Sequence, residues 1–134
     1  MEEKKNENSD LDLLADLCQC QESCMSWAMY SLKEGGDFAK LEHVRWLLDC
    51  ADICSLAKNF LIRDSEYAGD ILSICSYICD DCAESCETFF EDKMMKDCAM
   101  VCRNCGESCR DAIEEEGEEE DLAEEEEMKD KENE

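Results

Sequence analysis

The chain has 134 residues, thirteen cysteines, no proline, five glycines and a formal net charge of −25. This length allows one domain with a single modest core, and the scarcity of proline and glycine favours long helices over a loop-rich scaffold. The negative charge argues against nucleic acid as a partner, because the protein would repel phosphates. No apolar run approaches about 18 residues, so we expect no membrane-spanning segment.

The N-terminal stretch MEEKKNENSD is polar, and residues 1–8 are predicted to be an extension outside the folded domain. No apolar segment follows it, so the pattern of a secretory signal is missing. An odd number of cysteines also argues against a framework of disulfides. We therefore expect a cytoplasmic protein whose thiols are reduced.

The first helix is predicted to run from about Ser9 or Asp10, where Ser9 and Asp12 form a capping-box-like pattern, to about Glu34. It carries Cys20 and Cys24 on one face, because residues four apart lie one above the other on a helix. Cys18 lies about half a turn away from that face. We interpret Cys18 as a rim residue that could still take part in metal binding.

The second helix follows two glycines at residues 35–36, which are expected to end the first helix. Asp37 is predicted to cap the second helix, and the helix is predicted to end at about Arg63. It carries Cys50 and Cys54, which are again four residues apart. The cysteine pair of the first helix is therefore repeated on the second.

The third helix is predicted to be capped by Asp64 or Ser65 and to end near Glu91, where Asp92 opens a fourth helix that fades after Ile113. Each of these two helices carries the pattern C-x3-C-x2-C-x3-C. The eight cysteines are Cys75, Cys79, Cys82 and Cys86 in the third helix, and Cys98, Cys102, Cys105 and Cys109 in the fourth.

Steps of four, three and four residues are the a/d spacing of a bundle helix, so twelve cysteines are predicted to face one interior. Four helices joined by short turns predict an all-α, antiparallel up-down-up-down four-helix bundle with a cysteine-lined core, spanning residues 9–113. Residues 114–134 hold fourteen acidic residues and two lysines. We expect this C-terminal tail to be disordered and to aid solubility, and docking of a positively charged partner is an alternative role.

The a and d positions of the four helices form a seam that faces the core and continues beyond the cysteines. The residues at these positions predict that the two ends of the bundle differ. The plug end is aliphatic: Leu13, Leu17, Ala57, Leu61, Leu72 and Ala112. The mouth end is mixed: Trp27, His43, Leu47, Phe89 and Met95. Metal that travels along the bundle axis should enter at the mouth end, where His43 and Met95, with Met94 less favoured, are candidate ligands.

Thiolates are soft ligands that select Cu(I), Zn(II) or iron–sulfur clusters. A C-x3-C pair on one helix is a plausible clip for Cu(I), which is satisfied by two or three sulfurs. Charge also favours this ion, because one Cu(I) per thiolate leaves a buried core neutral. The six pairs are Cys20/Cys24, Cys50/Cys54, Cys75/Cys79, Cys82/Cys86, Cys98/Cys102 and Cys105/Cys109.

Three alternatives stay open at this point. Cys79-x2-Cys82 and Cys102-x2-Cys105 match a zinc-ribbon spacing, and a zinc or cadmium buffer would bind about one divalent ion per four thiols. A bundle that holds an iron–sulfur cluster is the second alternative. A structural or thiol-redox module without metal is the third. No catalytic constellation is recognisable, so we do not expect an enzyme.

The repeated cysteine motif, together with LLDCADIC on the second helix, resembles the bacterial copper storage proteins of the cytosolic type. The resemblance covers roughly residues 11–113. It implies a four-helix bundle that stores many Cu(I) ions on core cysteines and assembles into a homo-oligomer, commonly a tetramer.

Overall fold

The computed structural model describes the backbone of residues 2–132 and the side chains of residues 10–115. It contains four α-helices, with a short 3₁₀ helix between the first two. Each helix packs against its neighbours in the chain, and the first also packs against the fourth. Because short connections join them, successive helices run antiparallel, and the predicted four-helix bundle is confirmed. The bounds are α1 Glu2–Glu34, the 3₁₀ helix Gly36–Ala39, α2 Leu41–Ile62, α3 Ala68–Glu87 and α4 Lys93–Glu132.

The core is one continuous cluster in which cysteines occupy the middle and aliphatic residues close one end. At the predicted plug end, Leu13, Leu17, Ala57 and Leu72 are all at most 3% exposed. The remaining two predicted plug residues, Leu61 and Ala112, are half-buried and pack against the cluster. The aliphatic plug predicted from the seam is therefore present.

Asp92 opens the fourth helix as predicted. Its Oδ1 accepts the backbone N–H of Met95 at 2.9 Å, and the backbone carbonyl of Asp92 accepts the N–H of Lys96 at 3.1 Å. A side-chain oxygen at this position satisfies a backbone N–H that lacks a partner within the helix. This cap sets the start of α4 and hence the register of its cysteines.

The cap predicted at Asp37 is wrong, because Asp37 lies inside the 3₁₀ helix and α2 begins at Leu41. The backbone turns away from α1 through Gly35 and Gly36, whose φ angles are 74° and 59°. Glycine adopts these angles without the steric cost that a Cβ atom would impose. The 3₁₀ helix and the N-cap residue Lys40 therefore separate α1 from α2.

The predicted caps of α3 are also wrong, because α3 begins at Ala68. Asp64 adopts a left-handed φ of 53° and instead ends α2. The N–H of Ser65 donates to the Phe60 carbonyl at 3.0 Å, and that of Asp64 donates to the Leu61 carbonyl at 3.1 Å. These two hydrogen bonds together form the Schellman motif of a helix C-terminus. At its other end α3 stops at Glu87, four residues before the predicted Glu91.

The N-terminal end of α1 and the C-terminal end of α4 also differ from the prediction. Helix α1 begins at Glu2 rather than near Ser9, and α4 continues to Glu132 through the segment predicted to be disordered. Glutamate is a good helix former, and lengthening an existing helix avoids the cost of nucleating a new one. Residues 1, 133 and 134 lie outside the described part of the chain. Within that part, no helix combines the length and hydropathy needed to cross a membrane.

Candidate metal site

The twelve seam cysteines form a buried column through the middle of the bundle, which we call the thiol ladder. All are at most 1% exposed, and all are free thiols. The predicted orientation of the seam is therefore confirmed. The ladder consists of Cys20, Cys24, Cys50, Cys54, Cys75, Cys79, Cys82, Cys86, Cys98, Cys102, Cys105 and Cys109.

Ten of these cysteines fall into four groups of four, and within each group the sulfur atoms all lie within 4.8 Å of one another. Successive groups share two cysteines, so they form a continuous series rather than separate sites. From the plug end to the mouth end the groups are Cys54/Cys75/Cys79/Cys105, Cys20/Cys50/Cys54/Cys79, Cys20/Cys24/Cys50/Cys102 and Cys24/Cys82/Cys98/Cys102.

The closest sulfur contacts join different helices rather than the predicted clips within one helix. The Sγ atoms of Cys20 and Cys50 are 3.6 Å apart, whereas those of the clip pair Cys20/Cys24 are 4.0 Å apart. In the clip pair Cys75/Cys79 the distance is 3.9 Å. A bound ion can therefore take sulfurs from two or three helices, which the spacing within one helix does not reveal.

The surroundings of Cys79 and Cys102 in the central part of the ladder favour their neutral thiols. Hydrogen bonding to Cys105 and other thiols, together with burial, raises the pKa of Cys79. Hydrogen bonding to Cys20 and its neighbours, with burial, likewise raises the pKa of Cys102. A buried thiolate without a cation would be costly, so these groups should lose their protons only as a metal ion arrives.

Three cysteines lie outside the four groups. Cys109 and Cys86 are at the plug end and the mouth end of the ladder, respectively, and both are fully buried. Cys18 is half-buried and lies off the ladder, as its position in the helix predicted. The structure thus separates Cys18 from the other twelve candidate ligands.

His43 and Met95 meet at the mouth end. The His43 Nε2 atom lies 3.3 Å from the Met95 Sδ atom, and the Nδ1 atom lies 2.8 Å from the Ser85 hydroxyl oxygen. His43 is 4% exposed and Met95 is fully buried. Burial lowers the pKa of the His43 imidazole against the opposing effect of Cys82, which favours the neutral, metal-binding form. Met94 is 40% exposed and does not join this pair.

Aromatic side chains cover this end of the ladder. The Phe38 and Phe89 ring centroids are 4.6 Å apart, and the Phe89 and His43 centroids are 4.8 Å apart. Tyr30 packs edge-on against Phe38 and donates its hydroxyl to Asp92 Oδ2 at 3.0 Å. The sequence analysis missed Phe38, because this residue belongs to the 3₁₀ helix and has no place in a helical seam.

A groove of about 620 Å³ opens beside His43, between α2 and α3. Four carboxylates and one lysine lie along it, so it attracts cations. Its lining residues are Asp37, Lys40, Glu42, His43, Trp46, Asp81, Glu84, Ser85, Thr88 and Phe89. The groove therefore lies beside the mouth end of the ladder, next to His43, and no ladder cysteine lines it.

Comparison with known families gives one match that spans most of the chain. The family model described as copper storage protein matches residues 6–114. No curated protein matches the chain in a sequence search.

Solved structures with the same fold include a protein from Nitrosospira multiformis, which is 30% identical with a TM-score of 0.74 over 80% of this chain and 96% of its own. The Cu(I)-bound copper storage protein of Bacillus subtilis is 26% identical, with a TM-score of 0.72 over 77% of this chain and 96% of its own. A cytosolic copper storage protein from Streptomyces lividans, solved with five coppers, is 23% identical, with a TM-score of 0.72 over 79% and 92%.

Proposed function

The chain belongs to the copper storage protein family, and from this premise we propose that its bundle binds and stores multiple Cu(I) ions on its core thiolates. The observation that carries the proposal is the continuous thiol ladder, in which twelve buried cysteines form overlapping groups. Thiolate is a soft ligand suited to Cu(I). We assign the protein a role in copper homeostasis by sequestration and storage rather than by catalysis.

The distances between sulfur atoms suit single metal ions. A metal–sulfur bond of about 2.3 Å places sulfurs about 3.8 Å apart around a tetrahedral ion and about 4.0 Å apart around a trigonal one. The contacts from Cys50 to Cys20 and to Cys79 are 3.6 and 3.7 Å, and the contact between Cys54 and Cys105 is 3.8 Å. Small movements of the thiols would therefore complete the coordination.

The overlap of the groups supports storage of many ions rather than a few. Because neighbouring groups share two cysteines, an ion that moves to the next group can keep two of its ligands. Ions entering at the mouth end can thus pass along the ladder by exchanging one sulfur at a time. Each Cu(I) displaces a thiol proton, so filling the ladder keeps the buried core close to neutral.

A zinc buffer is the second candidate, because the geometry of a four-thiol group also fits Zn(II). The groups at the two ends of the ladder, Cys54/Cys75/Cys79/Cys105 and Cys24/Cys82/Cys98/Cys102, share no member. Two closed zinc sites could form there. Each would carry a net charge of −2 in an apolar interior, which makes zinc the less favourable occupant.

The remaining alternatives are weaker. The sulfur atoms of each group lie within 4.8 Å of one another, which leaves space for a single ion. An iron–sulfur cluster is larger, so its binding would require these sulfur atoms to move apart. A structural or thiol-redox module would not explain why twelve thiols share one core, since leucine would fill that volume better.

We assign the twelve ladder cysteines as the storage ligands and leave Cys18 outside the set, because it is half-buried and apart from them. We propose that His43, which lines the groove, and Met95, which contacts His43, hand Cu(I) to Cys98 on the same face of α4 as Met95. Soft thioether and neutral imidazole ligands both bind Cu(I).

We further propose that residues 9–113 form the storage domain, with residues 1–8 and 114–134 as extensions that are not needed for copper binding. Thirteen free thiols need a reducing environment, so we place the protein in the cytoplasm. Family resemblance suggests a homotetramer. Analytical ultracentrifugation of the full chain and of residues 9–113 would test the assembly, and Cu(I) titration of the same two chains would test whether the extensions are needed for copper binding.

Anaerobic titration of the reduced, copper-free protein with Cu(I) against a competing chelator tests the proposed function. Storage predicts tight uptake that approaches twelve ions per chain, one for each ladder cysteine. Uptake that saturates at one or two ions would reject storage. A parallel titration with Zn(II) that saturates at two ions, and outcompetes Cu(I), would favour the zinc buffer.

A further inference from the structure

Cys86 and Cys98 make the tightest sulfur contact among the described cysteines. Cys86 lies in the last turn of α3 and Cys98 in the second turn of α4, and their Sγ atoms are 3.0 Å apart. The other sulfur contacts run from 3.6 to 4.0 Å. This pair is therefore about 1 Å from the length of a disulfide bond, about 2.05 Å.

The place of the pair in the bundle also distinguishes it. Cys86 is the ladder cysteine at the mouth end that belongs to none of the four-thiol groups. Ser85, the preceding residue, lines the acidic groove, and Met95 lies one helical turn before Cys98. The pair therefore lies at the end of the ladder nearest the groove.

The backbone around the pair can accommodate a bond. Residues 88–92 between α3 and α4 form a turn rather than a helix. Movement of the last turn of α3 by about 1 Å therefore does not require a change in the packed middle of either helix. The sulfur pairs farther along the ladder join the interiors of two long helices, where such a movement would disturb the core.

We propose that Cys86 and Cys98 are a modification site that hydrogen peroxide converts to a disulfide in the copper-free protein. One thiol attacks a peroxide oxygen and gives up its proton, the O–O bond breaks, and a sulfenic acid and one water result. The second thiol then attacks the sulfenic sulfur, the S–S bond forms and the S–O bond breaks, which releases a second water. Two thiols lose two electrons, and peroxide is reduced to two waters.

The consequence for copper rests on the proposed function. Formation of the disulfide removes Cys98 from the mouth-side group and leaves Cys24, Cys82 and Cys102. The oxidised protein should therefore take up copper more slowly and bind fewer ions. Cu(I) already bound to these sulfurs occupies the electron pairs that attack peroxide, so the loaded protein should resist oxidation.

The test treats the reduced, copper-free full chain with rising amounts of hydrogen peroxide. The products are alkylated under denaturing conditions, and disulfides are located by peptide fragmentation in the mass spectrometer. We expect the first oxidised species to retain eleven of its thirteen thiols and to contain a bond between Cys86 and Cys98. A different first pair, or oxidation of these thiols without an intramolecular disulfide, would overturn the proposal.

Cys109→Ser is the matched control, because Cys109 is equally buried and also lies outside the four groups, but at the opposite end. It should form the same disulfide as the wild type, whereas Cys86→Ser and Cys86→Ala should not. Since mapping uses no copper, a failed copper titration would leave this result intact. A missing disulfide would likewise leave the storage proposal standing.

Discussion

Raising the pH should destabilise the copper-free protein far more than the copper-loaded protein. Four ladder thiols, Cys54, Cys79, Cys102 and Cys109, have pKa values raised by hydrogen bonding to neighbouring thiols and by burial. In the unfolded chain a thiol ionises near its ordinary pKa, about 8.5. Above that pH the unfolded state loses protons that the folded state keeps, so the free energy of unfolding falls as the pH rises.

The magnitude follows from the number of thiols. Each retained proton lowers the free energy of unfolding by about 1.4 kcal/mol per pH unit. Four thiols therefore give a slope of about 5 kcal/mol per pH unit, which rivals the whole stability of a domain, about 5 to 15 kcal/mol. Stability should change little between about pH 7 and 8, and the copper-free protein should unfold between about pH 9 and 10.5.

Circular dichroism during thermal unfolding from pH 7 to pH 10.5 measures this effect. The Cu(I)-loaded protein is the control, because its thiols have already lost their protons and its melting temperature should change little. The double variant Cys79→Ser/Cys102→Ser should reduce the slope by about half, since a serine hydroxyl does not ionise in this range. An unchanged melting temperature of the copper-free protein across this range would refute the reasoning.

Three further predictions concern capacity, capping and the plug. Cys54 belongs to two four-thiol groups and Cys109 to none, so Cys54→Ser should lower the number of bound Cu(I) ions by about two, and Cys109→Ser by at most one, in the chelator titration. Asp92→Ala removes both the N-cap of α4 and the acceptor of the Tyr30 hydroxyl, and it should lower the free energy of unfolding in urea by about 1 to 2 kcal/mol. Tyr30→Phe removes only the second interaction and should lower it by less. Leu72→Ala opens a cavity at a fully buried site and should cost about 3 to 5 kcal/mol, whereas Leu41→Ala, at a residue that is 70% exposed, should change stability by less than about 0.5 kcal/mol.

The bundle and the buried face of each helix were predictable, because cysteines and aliphatic residues that repeat about every 3.5 residues all lie on one face of a helix. Every cysteine placed on the seam is buried, and Cys18, placed off it, is only half-buried. Leu13 and Leu72 at the plug end follow the same rule. Periodicity is a property of the whole helix, so a single unfavourable residue does not hide it.

Helix ends were harder to predict, because several aspartates and serines compete for each cap. Asp92 caps α4 as expected, but Asp37 lies in a 3₁₀ helix and Asp64 ends α2 instead of starting α3. Aspartate can serve as an N-cap or adopt a left-handed conformation at a C-terminus, and only the path of the chain decides between them.

The arrangement of the four-thiol groups could not be read from spacing. Which sulfurs meet depends on the rotation and stagger of neighbouring helices. Cys20 is closer to Cys50 on another helix than to Cys24 on its own. The covering role of Phe38 was hidden for a similar reason, since the 3₁₀ helix that carries it follows no seam. Both features arise from tertiary packing and not from local sequence.

Anomalous diffraction at the copper edge from crystals of the Cu(I)-loaded protein tests the central claim most directly, because it locates each ion. The account predicts copper ions distributed along the whole length of the ladder, with neighbouring ions sharing sulfurs of the twelve ladder cysteines and none bound to Cys18. Copper confined to one or two isolated sites, or bound outside both the ladder and the pair His43 and Met95, would contradict it.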